Sequence, residues 1–393
     1  MSALAGLSVL DFSRYLPGAY PGWIAADMGA EVIRVEHPRE LAKQAAMFAQ
    51  GADAAAALRR RARPSYTRGK RSLLINPGHP ASRGVIAALV ARADVLIEDY
   101  RPGVMAAMGL GYAAMAAINP RLVYLSASFA GQTGPLAGKA GHDPAALALA
   151  GALSRLGGLP VPSLPGLQVA DVLAGAHATI AMLLALAARA STGKGQHADV
   201  AMSDACLPLQ LVAMGRHDDL GELPPPGTWH PKGGVWRCAD GGYICTTDME
   251  PAYWRRFCAA LGKPEFAERQ HDLAAHPAMH DALAAIFATR PRDEWFALLG
   301  EADTQAMPVY SPQEALAHPH TQARGMVVDV PVPGQHPVRQ LGLPFILSAS
   351  KPAPPVAAGA PGADNAAILA ELGFDADALA AAGAFSAKKG EAR

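Results

Sequence analysis

Short apolar strands alternate with helices over roughly the first third of the chain, and this alternation constrains the fold more than any other feature of the sequence. Branched apolar runs predict strands at residues 7–12, 31–36, 71–75, 95–98 and 122–126. Helices are predicted between them at about 23–28, 82–92 and 104–117. Such alternation is typical of a mostly parallel sheet with helices on both faces. The predicted fold class is therefore α/β, with a Rossmann-like parallel-sheet domain.

The middle of the chain predicts a second, smaller domain behind a proline-rich boundary. A long apolar helix over 172–189 ends at Gly193, and a further helix follows at about 200–214. The run 223–227 is Leu-Pro-Pro-Pro-Gly, the clearest boundary in the chain. Beyond it, hairpin strands at 235–238 and 243–246 precede helices rich in Trp, Phe and Ala. We predict a large domain at 1–199, linkers at 200–226, a small α+β domain at 227–320 and a return segment at 321–393, disordered after about Phe385.

Composition excludes several classes of protein. The 393 residues are 51% hydrophobic and 17% charged with no net charge, which argues against nucleic acid or an anionic membrane surface as the main partner. No run of about 18 uninterrupted apolar residues predicts a membrane span. Residues 1–9 lack the basic and apolar regions of a secretory signal. The four cysteines show no Cys-x-x-Cys spacing, so free thiols and a cytoplasmic location are predicted.

Two polar residues, His142 and Asp171, stand among small apolar neighbours, where an isolated polar side chain is costly unless it has a partner or a role. An imidazole and a carboxylate on opposite sides of one substrate would perform a two-base proton transfer. Each residue also has a structural interpretation. His142 could be a hydrogen-bonded histidine, and Asp171 could be the N-cap of the helix that follows it. Glu250, before Pro251, has the same capping interpretation.

Other sites receive less support from the sequence. The second strand ends at Glu36, where a ribose-binding acid would lie, but no Gly-x-Gly-x-x-Gly precedes it, so a nicotinamide cofactor is not predicted. Basic residues at 68–71 and 101–103 are either phosphate contacts or solvated turns. No Gly-x-Ser-x-Gly occurs. No metal site is predicted, because the histidines lack carboxylates at ligand spacing: His271, His276, His280, His318 and His320.

A set of motifs along nearly the whole chain resembles the class III CoA-transferase family (CaiB/BaiF type). This family includes formyl-CoA and carnitine CoA-transferases and the α-methylacyl-CoA racemases. Together the motifs are highly specific, although each alone is weak. They lie at residues 6–11, 26–36, 69–72, 93–98, 101–103, 119–124, 131–135, 192–196 and 318–319.

The resemblance implies a fold and a substrate. In the family, both chain ends form the large α/β domain, a smaller domain is inserted between them, and two subunits interlock as a homodimer. Coenzyme A, as part of the acyl-CoA thioester, lies on the large domain, and no prosthetic group is implied. Many members carry Arg where this chain has His37. The implied CoA-binding residues are Arg34, His37, Lys70, Arg71, Asp99, Tyr100 and Arg101.

The resemblance also implies catalytic residues. Asp171 matches the family's central aspartate, which attacks the thioester in transferases and moves a proton in racemases. Transferases typically have Tyr where this chain has His142, and racemases tend to have the Glu-Pro pair matched by Glu250 and Pro251. Both features favour a 2-methylacyl-CoA racemase, with CoA transfer as the alternative and a non-catalytic acyl-CoA-binding protein as a third possibility. Two features depart from the racemase pattern: Pro144-Ala145 after the Gly-His-Asp of residues 141–143, and Ala130 in the loop before Gly131.

Overall fold

The structure is a computed structural model that describes residues 2–48, 53–156, 162–215 and 233–387. Its strands are β1 (Ser8–Asp11), β2 (Glu31–Glu36), β3 (Lys70–Leu74), β4 (Val95–Glu98), β5 (Val123–Ser128), β6 (His197–Ala201), β7 (Gly233–Arg237), β8 (Tyr243–Thr247), β9 (Ala306–Pro308), β10 (Val327–Val332) and β11 (Gln335–Leu341). The first helices are α1 (Leu16–Asp27), α2 (Pro38–Phe48), α3 (Ala54–Ala62), α4 (Arg83–Arg92), α5 (Val104–Ala107), α6 (Tyr112–Ile118), α7 (Asp143–Leu149) and α8 (Val169–Thr192). The others are α9 (Met202–Cys206), α10 (Leu211–Met214), α11 (Pro251–Ala260), α12 (His276–Phe287), α13 (Arg292–Glu301), α14 (Pro312–Ala317), α15 (Pro319–Ala323), α16 (Asn365–Leu372) and α17 (Ala376–Ala381).

Six of these strands form one parallel sheet in the order β3-β2-β1-β4-β5-β6. This is the strand order of the doubly wound dinucleotide-binding fold, in which the chain reverses direction between β1 and β4. The predicted α/β class with a parallel sheet is therefore confirmed. A crevice is expected at the carboxyl ends of β1 and β4, because the connections there leave on opposite faces.

Alternate side chains of each strand enter different cores, as the period of two requires. On one face Leu10 and Ile33 pack with residues of α4, α6 and α16. On the other face Val9 and Val32 pack with residues of α1 and α8. Burial on both faces explains why these strands are continuous apolar runs in the sequence.

The chain divides into two compact units, each with its own core. In the part that the structure describes, the larger unit takes 2–48, 53–156, 162–215 and 323–387, and the smaller takes 233–322. The smaller unit has an antiparallel sheet in the order β7-β8-β9 and helices α11 to α15. Its core is aromatic and includes Trp236, Trp254, Phe257, Phe287 and Trp295. The predicted Pro-rich linker at 223–227 lies outside the described residues, as do 388–393 in the tail predicted to be disordered.

Helix α1 differs from the prediction of a Pro/Gly turn followed by a short helix at 23–28. The helix begins at Leu16, with Pro17 in its first turn. A backbone N–H at this position has no acceptor within the helix, so the lack of an N–H in proline costs no hydrogen bond. Its glycines serve close packing instead of a turn. A Cβ on Gly18 would lie 2.9 Å from the Asp99 Cβ, and one on Gly22 would lie 2.8 Å from an Asp11 oxygen.

Two other predicted helices are also wrong in part. The helix predicted at 104–117 is broken into α5 and α6, and Gly109 between them has a φ of +77°. The helix predicted at 200–214 is replaced by the end of β6 and the short helices α9 and α10. Strand β6 pairs with β5. A local sequence pattern does not show such a tertiary contact, so the strand was not predicted.

The return segment contains an antiparallel hairpin, β10–β11, where the sequence indicated only a Pro/Ala-rich tail. Buried Arg68 ties this hairpin to α1, because its guanidinium bonds to Asp27 of the helix and to the Gln340 side chain. Among the described helices, α8 is long and apolar enough to cross a membrane by length and composition. A buried core helix has the same properties, and residues Ala178, Met182 and Ala185 of α8 pack against the sheet.

Candidate active site

A crevice opens at the carboxyl ends of β1, β2 and β4, where the strand order predicts a ligand site. Loops after β1 and β4 and the start of α2 form its walls. The residues that line it are Phe12, Ser13, Arg14, Arg34, Val35, Glu36, His37, Glu40, Leu41 and Tyr100. Basic and aromatic side chains at a switch point suit an anionic, nucleotide-bearing ligand.

Arg14 is the best-anchored cation of this crevice. Its Nε donates to Asp99 Oδ1 at 3.1 Å, and its guanidinium lies 4.0 Å from the centre of the Tyr100 ring. The other Asp99 oxygen accepts the backbone N–H groups of Arg14 and Tyr15 at 2.8 and 2.7 Å. A buried carboxylate therefore fixes the loop after β1 and leaves the Arg14 side chain about one-fifth exposed.

A second cluster lies where α7 and α8 begin. His142 is the N-cap residue of α7 and is exposed, and its side chain makes no capping hydrogen bond. Asp143 follows it and is buried, and Asp143 Oδ2 accepts the backbone N–H of Asp171 at 3.0 Å. This bond joins the starts of the two helices. The rings of Tyr15 and His142 meet edge to face at 6.2 Å, which connects the cluster to the loop after β1.

Asp171 lies in the first turn of α8 and is not its N-cap, which is Gln168. The capping interpretation of Asp171 is therefore wrong. Burial and, to a smaller extent, the Asp143 carboxylate raise its pKa to about 6, and His142 acts in the opposite direction. Asp99 of the crevice also raises the pKa, so crevice and cluster share one electrostatic environment. A carboxyl with a pKa near neutrality exchanges protons at physiological pH.

Glu250 lies in the smaller unit, at the N-cap position of α11. Its side chain makes no capping hydrogen bond, so the capping interpretation does not account for it. Instead Gln305 Nε2 donates to Glu250 Oε2 at 3.0 Å. The backbone N–H of Gln305 donates to Asp248 Oδ1 at 2.8 Å. Gln305 thus holds the Glu250 carboxylate away from the helix backbone.

The sequence profile described as CoA-transferase family III matches residues 4–365. The chain belongs to this family. An acetyl-CoA:oxalate CoA-transferase from Acetobacter aceti is 30% identical over 86% of this chain and 89% of its own. An alpha-methylacyl-CoA racemase from Homo sapiens is 30% identical over 83% of this chain and 82% of its own. A solved structure of a CaiB/BaiF family protein from Brucella suis has a TM-score of 0.80 at 30% identity and covers 94% of this chain and 99% of its own.

Membership confirms the predicted family and makes this chain an enzyme of the CoA-transferase or acyl-CoA racemase type. Coenzyme A is therefore part of the substrate. Relatives with the two names are equally similar to this family III protein, so the reaction has to be argued from its own residues. Within the described residues, no cluster of three or more His, Cys, Asp or Glu has a metal-binding arrangement.

The seven predicted CoA-binding residues lie in different surroundings. Arg34, His37 and Tyr100 line the crevice, and Asp99 supports it through Arg14. Arg101 is exposed just beyond β4. Arg71 lies near the amino end of β3 on the surface, where its guanidinium binds Glu31 and Glu371.

Lys70 is not presented to the crevice surface. Its side chain is 1% exposed, and its Nζ donates to Asp11 Oδ2 at 2.6 Å and to the Ala19 carbonyl at 2.9 Å. Burial lowers the pKa of this ammonium, and Asp11 raises it. The contacts join β1, β3 and α1, so this lysine stabilises the base of the crevice.

Two site residues were missed by the sequence reasoning. Asp143 follows the candidate base His142 directly and was not itself predicted as a site residue, yet its carboxylate accepts the backbone N–H of Asp171 and raises the pKa of that residue. Its Oδ1 is buried and has no hydrogen-bond partner among the described residues. Arg14 was not singled out at all. An arginine right after the first strand was its only signal in the sequence, because its partner Asp99 is 85 positions away.

Proposed function

We propose that this protein racemises 2-methylacyl-CoA thioesters, with one of His142 and Asp171 removing the α-proton and the other supplying a proton to the opposite face. The observation that carries the proposal is the pairing of an exposed imidazole with a carboxyl of raised pKa at two joined helix starts. Neutral imidazole and ionised carboxylate are both bases in this pH range, and each becomes an acid after one proton transfer.

The steps balance with no other reactant. One group, which starts unprotonated, takes the proton from the α-carbon and leaves the thioester enolate. The other group, which starts protonated, gives its proton to the opposite face of the enolate. Running the steps backwards exchanges the roles of His142 and Asp171. Backbone N–H groups at the helix starts would hold the enolate oxygen. The N–H of Asp171 already donates to Asp143, so the oxygen would have to use other donors.

Three further parts belong to this proposal. The CoA moiety would lie along the crevice, with its phosphates near Arg14, Arg34 and His37. For Glu250 the family resemblance implies an assisting role in catalysis. A homodimer and a cytoplasmic location stay predictions based on the family and on the cysteine spacing.

CoA transfer is the second candidate, and its support is equally specific. A transferase relative is as similar to this chain as a racemase relative. In that reaction the Asp171 carboxylate would attack the thioester carbonyl, form a mixed anhydride and release CoA thiolate. The thiolate would then attack the Asp171 carbonyl of the anhydride, which frees the first acid and leaves CoA on Asp171. A second carboxylate would take CoA from Asp171 by the reverse of these steps and regenerate the Asp171 carboxylate. Asp171 would be required in both reactions, whereas His142 would be required only in racemisation.

The test is an incubation of (R)-2-methylacyl-CoA in deuterated water, with and without added carboxylic acid. We expect deuterium at the α-carbon and formation of the S epimer without any acid. A new thioester formed only when acid is present would overturn racemisation in favour of CoA transfer. Neither product, with the thioester still bound, would indicate a non-catalytic acyl-CoA-binding protein.

A histidine substitution separates the two chemistries further. His142→Ala is expected to lower α-proton exchange by at least about 100-fold, the scale of a lost general base. His336→Ala, on the exposed β11, is the matched control and should retain full exchange. Exchange that survives His142→Ala would show that another group is the second base.

A further inference from the structure

Glu98 lies directly beneath the crevice wall. It is the last residue of β4, is 3% exposed, and its Oε2 accepts the backbone N–H of Tyr100 at 2.7 Å. The Tyr100 ring in turn supports the Arg14 guanidinium. The carboxyl of Glu98 therefore fixes the segment of backbone that places both crevice side chains.

A line of hydrogen bonds joins Glu98 to the protein surface across two neighbouring strands. Ser126 is the register partner of Glu98 on β5, and its hydroxyl is hydrogen-bonded to the Glu98 carboxyl. Ser126 Oγ lies 2.9 Å from His197 Nε2 on β6. His197 is exposed and stacks on Tyr112 with ring centres 5.1 Å apart. A hydroxyl both donates and accepts, so this line can pass a proton between the surface and Glu98.

The charged and titratable groups around the line are few. Arg14 and Asp99, from the loops after β1 and β4, act on Glu98 in opposite directions. The phenol groups of Tyr100 and Tyr124 are its other titratable neighbours, and burial raises the pKa of both. At His197, part of whose ring is covered although the residue as a whole is exposed, partial burial lowers the pKa and Asp199 raises it. Burial raises the pKa of Glu98 to about 7, against the hydrogen bonds from Ser126 and Tyr100.

We infer that Glu98 is a positioning residue for the CoA thioester, and that it takes up a proton along Ser126 and His197 when the ligand binds. The inference rests on the proposed function, which places CoA in the crevice. The phosphates of CoA bring negative charge close to a buried carboxylate, and like charges favour its protonated form. Solvent protonates His197 Nδ1 as the Nε2 proton passes to Ser126 Oγ and the Ser126 hydroxyl proton passes to Glu98, so the imidazole and the hydroxyl both remain neutral.

The test is calorimetric titration of the full-length protein with coenzyme A at pH 7, in two buffers with different ionisation enthalpies. The difference in heat gives the number of protons taken up. We expect Glu98→Gln to take up about half a proton less per site than the wild type, since a group with a pKa of about 7 is half ionised at pH 7. Glutamine keeps an acceptor for the Tyr100 N–H, so the crevice wall should be preserved.

Glu268→Gln is the control, because Glu268 is an exposed glutamate of the smaller unit and does not line the crevice. Its proton uptake and its affinity for coenzyme A should equal those of the wild type. Equal uptake by Glu98→Gln and wild type would overturn the inference. An infrared difference spectrum of the wild type gives the same answer without any variant, since binding should produce a protonated-carboxyl band. Failure of coenzyme A to bind the wild type at all would instead contradict the proposed function.

Discussion

Asp171 occupies an electrostatically unfavourable position, and its neighbours explain why. Its pKa of about 6, against an ordinary value of 3.8, means that the folded protein binds a proton there that the unfolded chain releases. The free energy of unfolding therefore falls as pH rises from about 4 to about 6, and this loss of stability is complete above about pH 6. Functional carboxylates often destabilise the folded protein in this way, because the surroundings that raise the pKa also disfavour the ionised carboxylate.

Asp171→Asn should therefore stabilise the protein while it abolishes both candidate reactions. We expect a gain of about 1–2 kcal/mol at pH 7, discounted for the partial exposure of the side chain, and no gain below about pH 4. Denaturant unfolding at pH 4 and pH 7 measures the difference. Asp329→Asn, which removes an exposed carboxylate paired with Arg339, is the control and should change little at either pH. A destabilised Asp171→Asn at pH 7 would contradict this account.

Gln305 is expected to act through Glu250. Gln305→Leu removes the Nε2 donor but keeps the backbone bond from residue 305 to Asp248. If Glu250 serves the reaction, kcat for α-proton exchange should fall about tenfold, equivalent to about 1.4 kcal/mol, with little change in KM or thermal stability. Gln322→Leu, a matched change in the same unit, should leave kcat unchanged. Equal rates in the two variants would remove Glu250 or its Gln305 contact from the mechanism.

At the residue scale, sequence patterns predict where polar groups occur better than they predict their partners. The basic turn at 68–71 was expected to be either a phosphate contact or a solvated turn, and the family resemblance placed Lys70 among the CoA-binding residues. The parallel register of β3 with β2, and of β2 with β1, instead brings its ammonium to Asp11 in the interior. The same limit hid Asp143 and Arg14, whose roles depend on residues far along the chain.

At the scale of elements, the strands at 95–98 and 31–36 were predicted with exact bounds, because buried apolar runs are strong local signals. Helix α1 was not, because glycine and proline are typical both of turns and of closely packed helices. Only the contacts with neighbouring elements show whether a glycine or proline lies in a turn or in a closely packed helix. A Cβ on Gly175 of α8 would lie 2.6 Å from the Tyr20 Cβ of α1, so close contact between the two helices explains this glycine.

Two glycine substitutions test this close packing with opposite expected signs. In an exposed helix interior, Gly→Ala normally stabilises by about 1 kcal/mol. Gly300→Ala in α13 should do so, because no atom outside its own helix lies near the added methyl. Gly175→Ala should instead destabilise by about 1–3 kcal/mol, the typical cost of overpacking. Thermal melts of both variants provide the measurement, and a stabilised Gly175→Ala would show that α1 and α8 can separate without cost.

At the scale of the whole molecule, the α/β class follows from strand-helix alternation, and motif resemblance identifies the family. The apolar surface of the larger unit was not predictable, since local patterns do not show which side of a short helix remains uncovered. Around α10, Leu211, Val212 and Met214 are 69%, 63% and 64% exposed, and Leu209 is 46% exposed. Four large apolar side chains exposed within six residues favour an interaction site. A second copy of the chain, as in the predicted homodimer, would bury it.

The surface around α10 gives the homodimer a direct test. Leu211→Glu with Val212→Glu should shift the protein from dimer to monomer in size-exclusion chromatography with light scattering, because burying two carboxylates without partners costs several kcal/mol. Ala114→Glu, on the exposed side of α6, adds charge without touching this surface and should remain dimeric. Circular dichroism separates dissociation from unfolding, since a folded monomer keeps its helical signal. A doubly substituted protein that stays dimeric would place the subunit contact elsewhere, and a monomeric wild type would exclude the homodimer.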